Sequence, residues 1–99
     1  MNEKEWASIW VTQDMCVWEG KIEIALIMVT AAAASCSVTL RKGRDSSASI
    51  FAVVKAAADN SKNVPIPRET FLENGLYVDI DTNTTGVLVV FRAISEITE

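Results

Sequence analysis

The sequence predicts an all-β fold: a small antiparallel β-sandwich, jelly-roll-like, of about seven strands with an N-terminal arm. Three observations carry that expectation. The stretch 71–92 runs turn, strand, turn, strand, because Asn74-Gly75 tolerates positive φ at both residues and is flanked by β-branched and aromatic residues. Short apolar runs recur at turn-sized intervals along the rest of the chain. Finally, 49% of the 99 residues are apolar and 22% charged, which argues against disorder and leaves room for one core. A chain this short cannot bury so much apolar surface unaided, so a homo-oligomer or a larger assembly is expected.

Taken in order, residues 1–5 form a polar arm, and 6–12 can be read two ways. As a strand, Ala7, Ile9 and Val11 share one face and Trp6, Ser8 and Trp10 the other. As a helix, Trp6, Ile9, Trp10 and Gln13 share a face and Asn2 caps it. The Val11-Thr12 pair and nearby turn residues favour an extended arm or strand, with the helix left open over 3–12. Met15–Trp18 is a short strand closed by the turn Glu19-Gly20-Lys21. Ile22–Thr30 is the longest strand, with Ile22, Ile24, Leu26 and Met28 on one face and Glu23, Ala25, Ile27 and Val29 on the other. The second face turns apolar towards its end, which implies cover there by a sheet, a loop or another subunit.

Ala31–Ala34 is too short to nucleate a helix and reads as a loop. Cys36–Arg41 alternates cleanly, with Cys36, Val38 and Leu40 inward, and Gly43–Ser47 makes the next turn. Residues 49–58 carry conflicting signals. Ile50, Val53, Val54, Ala57 and Ala58 have helical spacing, but the β-branched and aromatic run favours a strand over 49–56. Asp59–Asn63 is a polar loop, and Val64-Pro65-Ile66-Pro67 belongs at a sheet edge or in a linker, since its prolines cannot donate to a ladder. The organisation expected is a single domain, with 1–20 as the arm and first short strands and 21–99 as the sandwich core.

Chemistry has little to stand on. The chain has no histidine, which removes the commonest general base and metal ligand together. Cys16 and Cys36 are too few for a disulfide scaffold or a zinc site, and Ser46, Ser47 and Ser49 have no histidine to activate them. Asp79, Asp81 and Asn83 resemble the start of a calcium loop, but the loop glycine falls at Thr84 and the bidentate glutamate at Val90. A solvated hairpin face is the simpler reading. A net charge of −4 without a clustered basic face argues against direct nucleic-acid binding, and Arg41-Lys42-Gly43-Arg44 reads as a hairpin tip. The longest weakly polar run, Ile24–Ala34, is shorter than the roughly 20 residues of a membrane helix. The start Met-Asn-Glu-Lys-Glu lacks the pattern of a secretory leader, so synthesis in a cytoplasm is expected. No enzyme, cofactor, metal or membrane partner is expected.

What remains is aromatic surface. Trp6, Trp10 and Trp18 all fall in the first 18 residues, where they could anchor an interface, line a sugar platform or cap the core. The interface expected uses Trp6, Trp10 and Trp18 with the Ile27/Val29 face of the longest strand.

The long strand ending in Val29-Thr30, then Val38-Thr39-Leu40-Arg41-Lys42-Gly43, then Phe71 through Asn74-Gly75-Leu76-Tyr77-Val78, and a terminal Val-Val-Phe-Arg resemble short virion proteins of tailed bacteriophages and prophages. The resemblance covers residues 21–93, its motifs are structural, and it carries over no catalytic or ligand residues. It implies a non-enzymatic particle component, foremost a capsid decoration or cement protein bound to the major capsid protein in the virion. A tail, neck or fibre component bound to another virion protein is the close variant, and a carbohydrate-binding sandwich using the tryptophans and the Asp79/Asp81 tip is the competing class.

Overall fold

A computed structural model describes residues 5–94, which form two antiparallel sheets packed face to face, as the sequence predicts. Residues 1–4 of the polar arm, with the Asn2 cap, lie outside the described residues. Nine strands are present among those described, more than the sequence suggested. They are β1 (Ala7–Val11), β2 (Met15–Trp18), β3 (Ile22–Ala31), β4 (Cys36–Arg41), β5 (Ile50–Ala56), β6 (Ser61–Pro65), β7 (Phe71–Leu72), β8 (Leu76–Asp79) and β9 (Thr84–Ala93). One sheet has the order β1-β9-β3-β6, with β7 also pairing β3, and the other has the order β2-β8-β4-β5. Both ambiguous segments resolve as strands where they are described, at Ala7–Val11 and Ile50–Ala56. β1 and β2 are integral members of the two sheets, so the expected boundary at residue 20 does not separate an arm from the core.

The extra strands arise where turn residues were expected. Ser61–Asn63, read as loop, extends β6 along β3, with Pro65 at the sheet edge where its missing N–H costs nothing. Around Asn74-Gly75 the chain passes from β7 in one sheet to β8 in the other, and at 80–83 it passes back to β9. Neither connection is a hairpin. Gly75 is nevertheless required: its φ is +101°, and a Cβ there would run into the Trp18 carbonyl oxygen.

The longest strand departs from simple alternation. Along β3 the pairing moves from Ile24↔Phe91 to Leu26↔Val90, leaving Ala25 as a β-bulge. A one-residue insertion exchanges the two faces. Ile22 and Ile24 face the core before the bulge; after it Ile27, Val29 and Ala31 do, while Leu26 and Met28 turn outward and are half-buried. The sequence reading placed Ile27 and Val29 opposite Ile22 and Ile24, on a contact face. Both are instead fully buried between the sheets, against Val38, Leu40, Val78 and Val89 in one core cluster. The bulged carbonyl is satisfied, because Ala25 accepts a 3.0 Å hydrogen bond from the Ile66 N–H.

Among the described residues the one buried charged side chain is Glu23, at 0% exposure on the outer side of β3. Its Oε1 accepts hydrogen bonds from Arg92 Nε at 2.9 Å and pairs with Nη2 at 2.8 Å. Its Oε2 accepts the Glu69 N–H at 2.8 Å, with Arg68 Nε at 3.6 Å. Glu69 holds φ at +66°, an uncommon conformation for a non-glycine residue, at the point where its N–H meets this carboxylate. Burial alone would raise the Glu23 pKa, but the Glu69 N–H, the Arg92 hydrogen bond and charge, and Arg68 outweigh it and hold the carboxyl below its ordinary value.

Removing Arg92 strands a buried carboxylate, so Arg92→Ala is expected to destabilise the fold by about 3–5 kcal/mol. Arg68 is mostly exposed, and Arg68→Ala should cost no more than about 1 kcal/mol. Because the folded pKa of Glu23 is depressed, its stabilisation is full above the ordinary glutamate value of 4.5 and is lost as pH falls through the folded value. Denaturant melts of wild type and Glu23→Gln across pH 7 to 3 should therefore converge on acidification; parallel curves would remove Glu23 as the source.

Candidate interaction surface

Alternation along β1 and β9 puts Ala7, Ile9 and Val11 across from Phe91, Val89 and Val87 on the core side. Trp6, Ser8 and Trp10 therefore project outward, on the face the strand reading gave them. On that outer face the register lines up apolar rows across the sheet. Trp10 stands beside Leu88, which pairs with Met28; Ser8 stands beside Val90, which pairs with Leu26 and then Pro65. Sheet faces turned to water alternate apolar-in and polar-out, and this one does not. It is bounded at one end by the Glu23–Arg92 pair and at the other by Thr30 and Ser61, whose hydroxyls lie 2.9 Å apart.

Trp6 and Trp10 each have a specific seat on this face. Arg92, held by Glu23, lies 4.7 Å from the Trp6 ring centroid in a cation–π contact. The Trp10 ring covers Gly86, which is buried although it lies within β9. The role of Gly86 is to leave room for the indole, since a Cβ there would run into the six-membered ring. Trp6 and Trp10 remain 40% and 46% exposed after these contacts. They are thus fixed in orientation but open to a partner.

Trp18 is elsewhere. Its ring centroid lies 6.3 Å from that of Phe91, a core residue, so it closes one end of the sandwich as well as being partly exposed. Trp18 thus packs on a core residue while Trp6 and Trp10 stand on the outer face of the other sheet, and Ile27 and Val29 are buried in the core. The residues missed by sequence reasoning are Leu26, Met28, Leu88 and Val90. Only the bulge at Ala25 shows that Leu26 and Met28 point outward, and no local motif marks it.

Asp79 and Asp81 are engaged separately. Asp79 faces out from the other sheet and pairs with Arg41 Nη2 at 3.5 Å. Asp81 is spent on the connection to β9: it accepts the Ser37 N–H at 2.9 Å, the Asn83 N–H at 3.0 Å and the Thr84 hydroxyl at 2.8 Å. Burial pushes its pKa up, but these three donors outweigh that and hold it low. Among the described residues no cluster of acidic or cysteine side chains is arranged to hold a metal. Cys16 and Cys36 are free thiols, and burial raises the pKa of Cys16, leaving less reactive thiolate near neutrality.

The basic segment 41–44 enters the β4–β5 hairpin tip, where Asp45 accepts the Ser47 hydroxyl at 2.6 Å and N–H at 3.0 Å. Beside it is an open cleft of about 500 Å³, lined by Lys42, Arg44 and Asp45 and, across from them, Glu19 and Asn74. Its charges are of both signs, and the Ser47 hydroxyl is donated to Asp45 within its own hairpin tip. No helix among the described residues is long and apolar enough to cross a membrane. No protein-family model, curated protein or solved structure matches the chain.

The seat of Trp10 is testable by coupling. Gly86→Ala is expected to cost about 1–3 kcal/mol by displacing the indole. In a Trp10→Ala background the same change should cost much less; an equal cost in both backgrounds would sink the proposed packing.

Proposed function

We propose that this chain is a non-enzymatic structural protein that adheres to a larger assembly through the outer face of its five-stranded sheet. The observation that carries the reading is the apolar row Trp10–Leu88–Met28 on that face, with Trp6 beside it clamped by Arg92. Interface cores are enriched in tryptophan, arginine and methionine and depleted in free charge, and this surface has that composition. Its anchors are already oriented, so little conformational entropy is lost when a partner covers them.

The more concrete form of the proposal follows the resemblance to short virion proteins of tailed phages. The chain is a capsid decoration or cement protein, and the surface it covers is on the major capsid protein. Binding only to the assembled shell would then stabilise that shell by linkage, without any chemistry. A tail, neck or fibre position would use the same face on a different virion protein. The carbohydrate-binding alternative has less support, because Trp10 and Asp79 lie on opposite outer faces of the sandwich and Asp81 is occupied by its own loop.

Purified particles from a lysate producing the protein provide the test. The chain should co-sediment with them, and Trp10→Ala should weaken retention by roughly 30-fold, equivalent to about 2 kcal/mol for a central aromatic anchor. Absence from particles would reject the particle role. Retention unaffected by both Trp6→Ala and Trp10→Ala would reject the face, and sugar binding on a glycan array lost with the same variants would favour the carbohydrate reading.

A further inference from the structure

An open β-sheet ends in strands with unpaired N–H and C=O groups, and proteins that must remain separate blunt such edges with lysine, proline, bulges or very short strands. Three of the four edges here are blunted in these ways. β6 carries Lys62 and Pro65, and the β7 segment beyond it has two residues. β5 carries Lys55 and a bulge at Phe51, where pairing moves from Leu40↔Ala52 to Arg41↔Ile50. β2 is four residues long and slips register at Val17.

β1 has none of these guards. Ala7–Val11 contains no charged residue and no proline, and it pairs with β9 in unbroken register from Ala7↔Phe91 to Val11↔Val87. Among the described residues no strand pairs with its other side. We propose that this edge pairs with the same edge of a second copy, antiparallel about a two-fold axis at Ile9, to join the two five-stranded sheets into one.

The β1 sequence suits that axis. Placing it at Ile9, the centre of the strand, sets Ile9 against its own copy, Ala7 against Val11 and Ser8 against Trp10. Core-facing residues then meet core-facing residues, and outward residues meet outward ones, so the sheet continues without a change of face. The pairing sets the large Trp10 beside the small Ser8 twice over, and such an isologous contact closes at two copies. Electrostatics favour the same choice. Each chain has a formal charge of −4, yet the strand is neutral and the axis brings Glu5 opposite Gln13 rather than opposite another acid. This pairing is independent of whether the protein enters a particle.

Sedimentation of the full chain over a concentration series is expected to give a species of twice 10.8 kDa. Ser8 is exposed, and its two copies would lie diagonally across the axis, about 7–8 Å apart by the usual spacing of such neighbours. Ser8→Lys alone and Ser8→Glu alone should each weaken the dimer at least tenfold, and an equimolar mixture should restore it. Rescue on mixing also shows that both variants fold. Hydrogen exchange at β1 in the wild type should slow as its concentration rises, which requires no variant. A wild type that stays monomeric throughout the series, or whose β1 exchange ignores concentration, overturns the proposal. So does a dimer indifferent to Ser8→Lys but lost with Met28→Lys, which would place the contact on the sheet face.

Discussion

The bulge at Ala25 is the constraint on which the arrangement depends. β3 is the hub of its sheet, pairing with β9, β6 and β7 along one continuous run. Ten residues of strict alternation would commit Ile22, Ile24, Leu26 and Met28 to a single face. One extra residue lets the strand place Ile22 and Ile24 in the core, then Ile27 and Val29, while Leu26 and Met28 go outward. A bulge leaves backbone groups unpaired, and here the Ile66 N–H takes the Ala25 carbonyl and fixes the chain leaving β6. The phase of the core and the composition of the outer face are therefore set by the same residue.

The outer face has a polar end that supports its apolar part. A buried carboxylate is costly unless every lone pair is used, and Glu23 uses its two oxygens on Arg92, the Glu69 backbone and Arg68. This fixes the Arg92 guanidinium, which then sits over the Trp6 ring. Stabilisation within the fold and orientation of a surface aromatic are thus one network. Trp10 is fixed differently, by the absence of a side chain at Gly86. Electrostatic clamping and shape complementarity hold neighbouring tryptophans on one sheet.

Much of the fold was legible because period-two alternation is a local property. Cys36–Arg41 showed it without interruption and fell as read, and Ile50–Ala56 followed its β-branched content over its helical spacing. What could not be read was anything that depends on a partner strand. Asn74-Gly75 marks a turn correctly, but a turn residue does not say whether the chain returns to the same sheet or crosses to the other one. The bulge is likewise defined by what β9 does opposite Ala25, so Ile27 and Val29 were assigned to the wrong side. For the candidate surface, Trp6 and Trp10 were legible from exposure-prone chemistry and strand phase. Gly86 was not, because its neighbour Trp10 lies far away in sequence.

Strand β1 is where the two proposed surfaces meet. Its outward side chains belong to the apolar face, and its free edge is neutral and unblunted, so pairing there would join the Trp10–Leu88–Met28 row of each copy to the Ser8–Val90–Leu26 row of the other on one apolar strip. Doubling a modest patch on a rigid frame changes binding more than enlarging it. The second half of the strip meets its target at an effective concentration fixed by the shared sheet, and avidity can exceed a single contact by roughly 10²–10⁴. A small chain need not bury a large area in any one contact if symmetry repeats that contact. The requirement is that the two faces stay coplanar, and a sheet continued through in-phase strands meets it better than a flexible linker would. Neutrality of β1 in an acidic chain fits that arrangement: charges such as Lys55 and Lys62 lie on other edge strands, and Glu23 and Arg92 at a polar end, away from the strand where two copies would join.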